Sequence, residues 1–182
     1  MSVAVRIAFV APARRCGFTL VEALIALCVV MLGLGGAATL QLQAQRTVFN
    51  AAHLSDGVLV AAALAERMRT NPVALALDDA RNPYLQFDYD AAGGPPAPAG
   101  HCYAGAGCAP DALAAADVYE TALAVAAGFP HGRVLACRDG AVAEPASWMC
   151  DGRAGAPLVI KLGWSMDGGP AAPAVLLPVD AP

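Results

Sequence analysis

Glu22 is the only charged residue between Phe18 and Leu40, and a lone carboxylate in so apolar a stretch calls for a chemical reason. An acid inside a membrane span costs a few kcal/mol on insertion scales, so it is kept where it has a cationic partner or a specific role. The competing reading is an ordinary signal anchor whose acid snorkels at the interface. Other chemistry is poorly supported. His53, His101 and His131 are far apart in the chain, and Ser147 and Ser165 lack the flanking glycines of a nucleophile elbow. Asp78-Asp79 and Asp88-Tyr89-Asp90 offer oxygen ligands without the spacing of a calcium loop, and are expected to be solvated loop acids. These patterns predict no catalysis, no cofactor and no metal.

The elements that must position Glu22 begin with a helix. Residues 18–40 would reach about 34 Å at ~1.5 Å per residue, enough to cross a bilayer core of roughly 30 Å. Arg14 and Arg15 precede the run, which keeps the N-terminus cytoplasmic and sends the remainder outward. A cleavable secretory signal would have a shorter apolar core ending in small residues. A lipid-attachment site at Cys16 would need small apolar residues where Arg14 and Arg15 stand.

Gly17-Phe18-Thr19-Leu20-Val21-Glu22, with basic residues before it and the apolar run after it, resembles the class III signal peptide of the type IV pilin family. That resemblance implies a leader over residues 1–17, cleavage between Gly17 and Phe18 by a prepilin peptidase, and methylation of the new Phe18 amine. It also gives Glu22 its role, pairing with the terminal ammonium of a neighbouring subunit.

Beyond Leu40 the pattern predicts an amphipathic continuation of the helix over residues 41–72, with Leu42, Phe49, Ala52, Leu59, Ala62 and Ala63 on or near one side. Asn71-Pro72 ends it. Gly33, Gly35 and Gly36 mark either local melting or close helix packing. Residues 73–111 are rich in glycine and proline and read as a long loop. Asp111 is the expected N-cap of a helix over 112–127. Three strands follow, Arg133–Cys137, Leu158–Trp164 and Ala174–Val179, joined as an antiparallel meander with an Asp-Gly hairpin at Met166–Pro170. Trp148 and Trp164 are expected to be core or edge aromatics.

Six cysteines fall into two groups. Cys16 belongs to the leader, and Cys28 lies in the span as a small packing residue. Cys102, Cys108, Cys137 and Cys150 follow the span, where an oxidising compartment favours disulfides. Three connectivities are open, and nearness in sequence favours Cys102 with Cys108 and Cys137 with Cys150. Neither spacing suits a zinc site, and His101 reads as a surface residue.

Loss of the leader's three arginines would take the formal charge from −4 to −7. An acidic chain with one lysine, Lys161, is a poor nucleic-acid binder. Leu32-Gly33-Leu34-Gly35-Gly36 with Leu40-Gln41, then Ala65 to Pro72, Gly132-Arg133-Val134, Cys137, Cys150 and Val159 to Trp164 narrow the resemblance to the minor pilins. This implies an α+β, pilin-like fold, a long N-terminal helix packed on a small antiparallel sheet domain spanning 73–182. It also implies a structural subunit acting in pilus priming or a tip complex. The implied partners are the prepilin peptidase, other minor and major pilins, the inner-membrane assembly platform and membrane lipid. The implied location is the inner membrane, single-pass, with a periplasmic C-terminal domain that enters the pilus. A type II secretion pseudopilin and a membrane-anchored periplasmic adhesin or ligand-binding module are the alternatives.

Overall fold

The computed structural model describes residues 17–100, 102, 107–140, 147–166, 168–169 and 172–179. Helix α1 runs from Leu20 to Thr70, and the chain divides into two compact units, Met1–Thr47 and Val48–Pro182. In the first unit every described residue is exposed, and α1 passes through Gly33, Gly35 and Gly36 without a break. The Thr39 hydroxyl donates to the Gly36 carbonyl at 2.7 Å and the Thr47 hydroxyl to the Gln43 carbonyl at 3.0 Å. Both polar groups are thereby satisfied within the helix, as an apolar environment requires.

The second unit holds the rest of α1 with α2 (Pro72–Leu75), β1 (Asp88–Asp90), a 3₁₀ turn (Ala91–Gly93), α3 (Pro110–Gly128), β2 (Arg133–Arg138), β3 (Leu158–Trp164) and β4 (Ala172–Val179). The strands form one antiparallel sheet in the order β1-β2-β3-β4. The fold is therefore α+β, a long N-terminal helix with a small antiparallel sheet, as the pilin-like pattern predicts.

Helix α1 buries Gly57, Ala61, Leu64, Ala65 and Met68, spaced four, three, one and three residues apart on one helical face. This corrects the predicted packing face, since Leu42, Phe49 and Leu59 are exposed. Alanine is spread around the helix, so composition leaves several weakly apolar stripes, and the close approach available at Gly57 selects among them. A Cβ there would lie 3.2 Å from both Leu162 Cδ2 and Trp164 Cζ3. Leu158, Ile160 and Leu162 alternate along β3 into the core with Leu64, Met68, Val125 and Val134. The intervening Val159 and Lys161 are also buried, so β3 is covered on both faces.

Other boundaries shift for local reasons. The loop expected over 73–111 contains α2, the 3₁₀ turn and β1, a fourth strand too short to show a periodic pattern. It is recruited by the edge of β2, with Tyr89 turned inward between exposed Asp88 and Asp90. The N-cap of α3 is Ala109 rather than Asp111, and it makes no side-chain capping bond. Pro110 fits the first helical turn, where no amide hydrogen is needed, and Asp111 lies in that same turn. Strand β2 extends to Arg138, and β4 begins at Ala172 rather than 174, with an irregularity between Leu162 and Gly163. The predicted hairpin includes Asp167 and Pro170, which lie outside the described residues.

Candidate functional site at the N-terminal segment

Thr19 is the N-cap of α1. Its carbonyl accepts from the Ala23 amide at 3.2 Å, and its hydroxyl accepts from the Glu22 amide, also at 3.2 Å. Thr-x-x-Glu is the spacing of a capping box, in which the hydroxyl satisfies one of the first-turn donors that the helix leaves open. Glu22 is the acidic residue of that first turn. The helix macrodipole places partial positive charge there, the end of a helix where acidic side chains are commonly found. Thr19 thus caps the helix through the Glu22 amide, and the Thr-x-x-Glu signature was available in the sequence.

Gly17 and Phe18 precede the cap in non-helical backbone, and Phe18 is 72 % exposed. Among the described residues, a Cβ placed on Gly17 would meet nothing within 4 Å. From Phe18 to Leu40 the apolar side chains are exposed, including Leu20, Ile25, Val29 and Leu34. Among the described residues one helix, α1, is long and apolar enough to cross a membrane by length and composition.

Residues 12–38 match the prokaryotic N-terminal methylation motif. The motif marks a type IV pilin-like or pseudopilin-like protein. It implies processing by a prepilin peptidase and assembly with other pilins, and it points to a structural subunit rather than an enzyme. Together with the long apolar helix it fits a membrane-anchored pilin. No curated protein and no solved structure matches the chain.

The cysteines after the span are joined as Cys102–Cys108 and Cys137–Cys150, with Cα separations of 5.5 and 6.3 Å. Cys28 is free and exposed on α1. Cys16 and His101 lie outside the described residues. Among the described residues no three His, Cys, Asp or Glu side chains gather where a metal ion could bind. His53 stacks near Phe129 and Trp164, with ring centroids 5.9 and 6.0 Å away, so it is part of an aromatic cluster. Three of the loop acids are ion-paired rather than simply solvated: Asp78 with Arg81, Asp79 with Arg138 and Asp88 with Arg133. The last two pairs are long-range and hold the loop to β2.

Two buried polar clusters escaped the sequence reading. Lys161 Nζ donates to Asp139 Oδ2 at 2.5 Å, to the Ser147 carbonyl at 2.8 Å and to the Met149 carbonyl at 2.7 Å. All three ammonium hydrogens are therefore used. The amine draws the segment next to Cys150 onto the outer face of β3.

The second cluster centres on Tyr84, fully buried, whose hydroxyl donates to Asp117 Oδ2 at 2.7 Å. Asn71 Nδ2 donates to the Pro110 carbonyl at 2.7 Å, and Arg67 Nη1 reaches Glu120 at 2.5 Å and Asp117 at 3.4 Å. The network ties the end of α1 to α3. Burial, followed by the hydrogen bond to Asp117, pushes the Tyr84 pKa well above the ordinary tyrosine value. With a raised folded pKa, the folded state holds its proton longer than the unfolded state does. Stability is fully present below the unfolded value of about 10 and falls as pH rises past it. Thermal melting of the protein should therefore drop more steeply above pH 10 than melting of Tyr84→Phe, which lacks the ionisable hydroxyl. Parallel slopes for the two proteins would show that Tyr84 does not contribute.

Proposed function

We propose that the chain is a minor type IV pilin, resembling the pilus modification protein PilV, that acts in pilus priming or a tip complex and performs no catalysis. The observation that carries this reading is the Gly17-Phe18 junction followed by capped, apolar α1 with Glu22 in its first turn. In this reading residues 1–17 are removed and Phe18 becomes an N-methylated terminus. Residues 18–40 anchor the chain in the inner membrane and later enter a filament core. Residues 41–72 carry the helix into the periplasmic domain of 73–182. The partners are the prepilin peptidase, major and minor pilins, the assembly platform and membrane lipid. A pseudopilin of type II secretion shares the same N-terminal chemistry. The two part on whether the protein is recovered in pili, which mass spectrometry of sheared filaments measures together with cleavage.

Glu22 has the central assembly role in this proposal. A carboxylate in a low-dielectric helix bundle is tolerated when paired, and the Phe18 ammonium of a neighbouring subunit is a cation at the right level. Glu22→Ala should leave cleavage and membrane insertion intact while strongly reducing the protein in sheared pili. Because Thr19 still caps the helix in that variant, α1 should keep its start. Wild-type recovery and piliation with Glu22→Ala would make Glu22 a tolerated interfacial charge and sink the pairing.

A further inference from the structure

Beside the outer end of β2 lies an open cavity of about 300 Å³, lined by Asp90, His131, Arg133, Trp148 and the backbone of Gly168 and Gly169. It is at the small end of ligand-site sizes and suits a single ring. Its groups come from four parts of the chain that the fold brings together, and none of them belongs to the N-terminal segment.

Arg133 is fixed in place. Its Nε and Nη2 donate to the Asp88 carboxylate at 3.0 and 2.7 Å, and its guanidinium carbon lies 4.8 Å over the Trp148 ring. Those bonds leave the Nη1 amino group available as a donor. Asp90 uses Oδ1 to accept from the Ala92 amide at 2.9 Å, which leaves Oδ2 as an acceptor. His131 has a φ of 50°, in the left-handed region that a non-glycine residue adopts at a cost. The strained residue lines the cavity. Gly168 has a φ of 72°, a conformation that favours glycine, and its Cα side faces His131 Nε2 at ordinary contact distance.

The pocket thus combines an aromatic surface, a fixed donor, a fixed acceptor and an imidazole that can do either. Adjacent hydroxyls on a saturated ring require this mixture, each able to accept from one group and donate to another. Charge decides between neutral and acidic rings. Arg133 is balanced by Asp88, so the Asp90 carboxylate disfavours an anionic ligand, and the guanidinium over Trp148 already holds the cation position on that ring. We propose that this cavity is a binding site for a neutral pyranoside, giving the protein a sugar-recognition function separate from its assembly role.

The test uses the full-length protein in detergent, with methyl β-D-glucoside, methyl β-D-galactoside and methyl α-D-mannoside as neutral probes and D-glucuronic acid as the charged one. Ligand-observed saturation-transfer NMR and calorimetry report binding. At least one neutral glycoside should bind, with glucuronic acid weaker by about tenfold. His131→Gly removes the imidazole and relieves the backbone strain, so it should fold at least as well as wild type while weakening the glycoside by about fivefold. Asp90→Asn keeps the cap on Ala92 and removes the charge, and it should narrow the gap between glucuronic acid and the neutral probes. Three results would overturn the proposal: no binding by any neutral glycoside, tighter binding of glucuronic acid to the wild type, or unchanged affinity in His131→Gly.

Discussion

Gly17→Leu should leave the chain at full length in the membrane, with the shorter mature form reduced by more than tenfold. A glycine beside a scissile bond lets an enzyme approach the backbone where any Cβ would stand. The effect can be assigned cleanly, because a Cβ at 17 meets nothing within 4 Å among the described residues and the fold should be undisturbed. Slower cleavage then reports the fit between substrate and peptidase, at about 1.4 kcal/mol of barrier per factor of ten. Intact-mass measurement of the membrane fraction checks it. Mature protein of normal size from the leucine variant would place the processing site elsewhere.

Lys161→Met should destabilise the second unit by about 3–5 kcal/mol, the usual cost of removing one partner of a buried ion pair. Lys161 is 1 % exposed and Asp139 3 %, so neither charge has water to fall back on. The methionine fills similar volume, and the loss is electrostatic rather than a cavity. The carbonyls of Ser147 and Met149 also lose their donor. Asp139→Leu added to Lys161→Met should recover part of the loss, since an apolar pair replaces a buried charge. Urea unfolding of the three proteins reads both effects. A loss below about 1 kcal/mol in the single variant would mean that solvent reaches the pair.

The N-terminal half was legible because its signal is local. The glycine, lone acid and apolar run fall within the matched methylation motif, and Asn71-Pro72 at the far end predicted the end of α1 at Thr70. The strands β2 and β3 were found within a residue, since β-branched and apolar runs between turns are visible in one dimension. What failed depended on partners distant in sequence. The packing face of α1 is set by Leu162, Trp164 and Val175, and β1 exists because β2 offers an edge to a segment with no pattern of its own. Lys161 stood out in the sequence only as the chain's one lysine. Only the structure brings Asp139 and two carbonyls to it, and so shows β3 buried on both faces. The capping role of Thr19 was legible in the Thr-x-x-Glu spacing.

The burial of Lys161 also bears on how the molecule can be labelled. It is the chain's one lysine, and its amine is enclosed with every hydrogen engaged. In a chain that begins at Phe18, the folded protein then presents a single accessible primary amine, the one at its own terminus. Methylation would convert that amine to a secondary one. An amine-directed biotin reagent applied to native protein becomes an assay of N-terminal state: reaction traces to one position, and capture of Lys161 by the same reagent signals unfolding of the sheet.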